Sequence, residues 1–104
     1  MASGTVAMCT GTACRKRSEH EPLRERLAAE GELGRFACVG VCSGPVVVVT
    51  PAGGTPVVVA RVRSRKAHRD VVRLLRGRPL SDRLRRRRVT GSMAAKAIRR
   101  ARRG

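Results

Sequence analysis

Four cysteines carry most of the chemistry this sequence can offer: Cys9, Cys14, Cys38 and Cys42. They fall as C-x4-C, then 23 residues, then C-x3-C. Four thiolates on two loops suit an iron–sulfur cluster, because a [2Fe–2S] centre takes four cysteines, two per iron. Zinc also takes four, but structural zinc sites favour C-x2-C knuckles, and neither pair has that spacing. Gly11, Gly40 and Gly44 lie within or beside the loops. Their lack of a side chain lets backbone N–H groups approach sulfur, which stabilises an anionic cluster and tunes its potential. Thioredoxin-type exchange needs C-x-x-C and covalent haem needs C-x-x-C-H; neither motif occurs. A Rieske site needs two histidine ligands, and His20 and His68 lie outside the cysteine loops.

The elements that must hold these loops follow from local patterning. Thr5 to Met8 is a short β-prone run that ends at Cys9. Ser18 and Glu21 fit a capping box, and Leu23, Leu27 and Ala28 stripe a helix expected over 19–30. A second strand is expected over 33–37, leading to Cys38. Val46 to Thr50 and Pro56 to Arg63 read as a hairpin around the Pro51–Gly54 turn. Ser64 caps a helix whose Ala67, Val71, Leu74 and Leu75 face inward, and Gly77 stops it. The order is β-α-β-β-β-α, an α/β class with a small sheet covered by two helices. Cys9 and Cys38 each follow a strand. If those strands are parallel neighbours, both loops open at one end of the sheet and the sulfurs converge.

The run "CTGTAC … CVGVCSGPVVVV" resembles the thioredoxin-like [2Fe–2S] ferredoxin family. That family includes the small peripheral subunit of respiratory NADH dehydrogenase and related subunits of hydrogenases and formate dehydrogenases. Cys9 and Cys14 match its first cysteine pair, Cys38, Gly40 and Cys42 its C-x-G-x-C, and Gly44-Pro45 with Val46 to Val49 the sequel. The resemblance spans residues 5 to 77. It implies a thioredoxin-like fold, one [2Fe–2S] cluster held by Cys9, Cys14, Cys38 and Cys42, one-electron transfer, and in some members a homodimer. The gap between the cysteine pairs is shorter than the family pattern, so the first helix or the loop after it is trimmed.

Charge divides the chain differently. Residues 83–104 hold ten Arg/Lys and no acid, within a net charge of +17 over 104 residues. The expected organisation is therefore a ferredoxin domain over 1–82 and a basic, Arg-rich tail over 83–104, disordered or partly helical. Ala94, Ala97, Ile98 and Ala101 stripe a short helix within it. The tail suits docking to a redox partner with an acidic surface; the alternative is a four-cysteine zinc protein whose tail binds nucleic acid. With no aromatic residue in the tail, stacking on single-stranded bases is not expected.

The remaining features are plainer. The longest unbroken valine run, Val46 to Val49, is too short to span a bilayer, and no targeting segment is evident, so a cytoplasmic protein is expected. Reduced cysteines there favour metal ligation or redox chemistry over structural disulfides. Arg15, Lys16 and Arg17 follow Cys14, and cations beside a cluster favour its more negative reduced state, raising the potential. Phe36, the one aromatic residue, is expected in the core beside Cys38, shielding the cluster from water, and both histidines are expected at the surface. No serine–histidine–aspartate set, phosphate-cradling loop or acid pair appears, so the expectation is an electron-transfer protein and not an enzyme.

Overall fold

Unbroken runs of β-branched valine, Val46 to Val49 and Val57 to Val59, dictate the centre of the molecule. The computed structural model describes residues 4–9, 20–30, 33–36, 46–51 and 54–103. Its elements are β1 (Thr5–Cys9), α1 (His20–Ala28), β2 (Leu33–Phe36), β3 (Val47–Thr50), β4 (Val57–Val59), α2 (Arg65–Leu75), α3 (Asp82–Arg85), β5 (Arg88–Val89) and α4 (Gly91–Arg103). The expected β-α-β-β-β-α order holds through α2, in a small α/β domain. The second hairpin strand is shorter than the expected 56–63. It ends because Arg61 takes a φ of +53°, which no extended strand accommodates.

The sheet runs β2-β1-β3-β4-β5. Among the described strands only β1 and β2 are parallel, with Cys9 opposite Phe36. β3 is antiparallel to β1, β4 to β3 and β5 to β4. A crossover between parallel strands needs a helix, and α1 supplies it.

Successive residues on a strand point to opposite faces, and the sheet sorts them cleanly. Val6, Met8, Val47, Val49, Val57 and Val59 face α1, α2 and α3, where they meet Leu23, Leu27, Val71, Leu74, Leu75 and Leu84. Ala7, Cys9, Val46, Val48 and Val58 face the other way with Phe36 and Ala60, and α4 covers them through Ala97. Both helices expected over the sheet therefore lie on one face. Of the two states expected for the basic segment, it takes the helical one. Its stripe of Ala94, Ala97, Ile98 and Ala101 is the surface that packs, and β5 adds a strand beside β4. Many charges on a helix do not prevent docking when one face is small and apolar.

The ends of α2 are chemically specified. Ser64 Oγ accepts from the Ala67 N–H at 3.1 Å, as an N-cap should. At the other end Gly77 takes φ +93°, the Arg78 N–H donates to the Arg73 carbonyl at 2.9 Å and the Gly77 N–H to the Leu74 carbonyl at 3.0 Å. These are the paired bonds of a glycine-terminated helix.

Candidate metal centre and the basic rim beside it

Cys9 is the last residue of β1 and is 2% exposed. Its N–H donates to the Val46 carbonyl at 3.0 Å, which fixes the start of β3 against it. Phe36, also buried, shares its cluster together with Val46 and Ala97. The sulfur thus belongs to the face that α4 covers. Phe36 occupies the core as expected, in one cluster with Cys9; the expected neighbour Cys38 lies outside the described residues. Cys14, Cys38 and Cys42, with Gly11, Gly40, Gly44 and Arg15 to Arg17, lie outside the described residues. Among the described residues no group of three or more His, Cys, Asp or Glu side chains is placed to hold a metal ion.

The register nevertheless brings the described strand ends on either side of the cysteine segments to one place. The chain leaves the sheet at Cys9 and at Phe36, which are opposite one another. It re-enters at Val46, beside Cys9. These three points share one end of three adjacent strands.

The same end carries a feature the linear sequence disperses. Val59 is opposite Val47 and Arg88 is opposite Val59, so β4 finishes and β5 begins at the cysteine end. One row further, the Ala60 N–H donates to the Arg87 carbonyl at 2.9 Å. Arg61 and Arg63 follow immediately. Their backbone is pinned: the Arg61 carbonyl accepts from the Arg63 N–H at 2.9 Å and from Arg87 Nε at 3.2 Å. Arg87 Nη1 also donates to the Arg83 carbonyl at 3.0 Å. Strand spacing of about 4.8 Å sets Ala60 about 10 Å from Cys9 across the sheet.

Charge follows this geometry. Residues 1–59 hold six Arg/Lys and five acids, a net +1; residues 60–104 hold 18 and two, a net +16. One buried acid organises part of that excess. Asp70 accepts from Ser81 Oγ at 3.0 Å and from Arg83 Nη1 at 2.9 Å, tying α3 to α2. Two clefts of about 480 and 420 Å³ flank this network, the first lined by Arg73, Arg76 and Arg78, the second by Arg83, Arg86 and Arg87. Elsewhere hydrogen bonds and charge from Glu30 raise the Arg76 guanidinium above its ordinary pKa, and Glu21 does the same to Arg24.

His68 corrects the surface expectation. It is buried, and its Nε2 lies 2.9 Å from the Val62 carbonyl oxygen. A carbonyl only accepts, so Nε2 carries the proton. The signal was present: position 68 precedes Val71 and Val72 by three and four residues, on the inward stripe. Asp70 was passed over likewise, because its partners Ser81 and Arg83 lie beyond the helix. No family model and no curated protein matches the chain.

Proposed function

We propose that this chain is a small [2Fe–2S] electron carrier, with Cys9, Cys14, Cys38 and Cys42 as the cluster ligands, and not an enzyme. The observation that supports this most is the parallel register of β1 and β2, with Cys9 opposite Phe36. It is the arrangement under which two cysteine loops open at one end of a sheet. In sequence, Cys38 follows Phe36 by two residues and Cys42 precedes Val46 by four.

The donor set suits the group. Four thiolates satisfy a binuclear iron centre completely, and no carboxylate or imidazole is needed. His68 is committed to the Val62 carbonyl. When bound, such a cluster supplies a reversible one-electron couple. The chain's own residues set its surroundings. Cys9 must lose its proton to ligate, so loading releases protons and is favoured as pH rises. Phe36 and Val46 keep water from the Cys9 side, and a drier setting penalises the extra negative charge of the reduced state. The arginines beyond β4 oppose that penalty. No described helix is long and apolar enough to cross a membrane; the partner proposed is a redox protein with an acidic surface.

The deciding experiment is an ultraviolet–visible spectrum of anaerobically purified protein before and after dithionite, with iron and zinc counted on the same sample. Visible bands that bleach on reduction and about two irons per chain are expected. A colourless protein with one zinc would overturn the carrier and promote the nucleic-acid alternative.

A further inference from the structure

We infer that the arginine rim at the cysteine end of the sheet, centred on Arg61 and Arg88, is the docking surface for an acidic redox protein. The inference rests on the electron-carrier reading above and adds where the partner sits. Residues 27 positions apart in sequence reach the same sheet end because β4 finishes there and β5 starts there. Both side chains are exposed. Among the described residues neither is ion-paired, whereas Arg24, Arg76, Arg83 and Arg85 each face a carboxylate. At the other side of this end, Glu21 in the first turn of α1 is paired with Arg24. Among the described residues of this end, β2 presents the exposed Arg35 and the β4–β5 side presents Arg61 and Arg88, so the denser charge lies on the β4–β5 side.

Two further points favour a docking role over a merely solvated edge. Arg61 holds a positive φ that L-residues adopt at a cost, and two hydrogen bonds to its carbonyl keep it there. A rim fixed in this way loses little freedom when a partner binds. It also begins about 10 Å from Cys9, within one Debye length at 0.1 M salt. Charge at that distance steers a partner to the place where the electron leaves, which raises the encounter rate. A second basic region, around Arg73 and Arg78, lies past the middle of α2. That helix leads away from the cysteine end, and its C-cap Arg76 pairs with Glu30, just ahead of β2's start at the opposite end. It supplies a matched control.

The experiment compares R61E/R88E with R73E/R78E, two variants with the same change in net charge. The first readout is the rate at which the dithionite-reduced protein passes one electron to ferricyanide, an anionic acceptor that becomes ferrocyanide with no proton moved. Hexaamminecobalt(III) serves as the cationic counterpart. The second is the affinity for a fluorescein-labelled hepta-aspartate peptide by anisotropy, which needs no turnover. At about 20 mM salt R61E/R88E is expected to lose about 10-fold in ferricyanide rate and about 5-fold in peptide affinity, and to gain rate with the cobalt complex. R73E/R78E is expected to change each by less than about 2-fold. Equal losses in the two variants would overturn the inference, since net charge alone would then explain them. A protein without iron overturns the carrier reading, and the peptide affinities then decide the rim by themselves. Thermal unfolding of both variants checks that each is folded.

Discussion

The two faces of the sheet are built on different principles. On one, three helices press leucines onto valines: Leu23, Leu27, Leu74, Leu75 and Leu84 are all at most 4% exposed. On the other, a single helix lies over alanines and valines, and Ala97 is the one α4 residue buried among those described. At about 25 cal/mol per Å² of apolar surface, the first face carries most of the hydrophobic stabilisation. The second achieves closeness instead. Small side chains occur on both sides of this cluster, Ala97 on the helix and Ala7 and Ala60 on the sheet, and they keep the layer thin. Cys9 lies on this thinner face. Cys9, one of the four proposed ligands, thus belongs to the face that α4 covers, and α4 bears arginines.

Truncation should expose the contrast most plainly. Leu84 is fully buried although it stands in a one-turn helix among arginines. Leu84→Ala is expected to cost about 2–5 kcal/mol, since a cavity there cannot refill from so short an element. Ile98→Ala on the thin face removes a partly buried group and is expected to cost about 1 kcal/mol, softened by alanine's better helix propensity. Urea unfolding midpoints at unchanged slope would measure both. Equal costs would break the distinction between the faces.

A smaller effect is expected where α3 joins α2. Asp70 is buried and receives Ser81 Oγ and Arg83 Nη1, while Ser81 Oγ also accepts from the Leu84 N–H at 3.2 Å. Asp70→Ala is expected to cost about 1–3 kcal/mol. Most of that is the lost serine bond and the freed cap, because the Arg83 side chain is 38% exposed and regains water. A double-mutant cycle of Asp70→Ala with Ser81→Ala should show coupling of at least about 0.5 kcal/mol. Additive costs would mean that the buried acid and the cap act separately.

Some of this architecture was written locally. The valine runs, the Ser64 cap, the Gly77 stop and the inward set Ala67, Val71, Leu74 and Leu75 all follow from short-range patterns, and the structure contains them. The stripe of Ala94, Ala97, Ile98 and Ala101 was visible too, but alanine contributes so little hydropathy beside Lys96 and Arg99 to Arg103 that composition favoured disorder. What decides the matter is a surface elsewhere, the cluster of Phe36, Val48, Val58 and Ala60 that Ala97 joins, and such complementarity is a tertiary fact. His68 and Asp70 were obscured for a related reason. Each is polar, so each reads as exposed until the Val62 carbonyl or Ser81 and Arg83 come near. Of the candidate centre, the cysteine spacing was legible and the shared sheet end was only a condition on strand order. The register of β1 with β2 meets that condition. The gathering of Arg61 and Arg88 at the same end was not legible, because it depends on β5 pairing with β4.

The smallest expected effect is also the most discriminating for the rim. Arg61 at φ +53° is strained, and glycine would adopt that conformation freely. Relief of about 1 kcal/mol is partly offset by glycine's larger unfolded-state entropy, so Arg61→Gly is expected to gain about 0.5 kcal/mol, or about 2–4 °C in Tm. It also deletes a rim charge, so hepta-aspartate affinity is expected to fall about 2-fold. Arg88→Gln, which removes a charge without relieving backbone strain, should lower the affinity similarly and leave Tm unchanged. Opposite signs for stability and binding in Arg61→Gly would mark a residue kept strained for what its side chain meets. If Arg61→Gly lowered Tm instead, the arginine side chain would be supporting the β4–α2 connection, and its charge would be incidental to why it stands there.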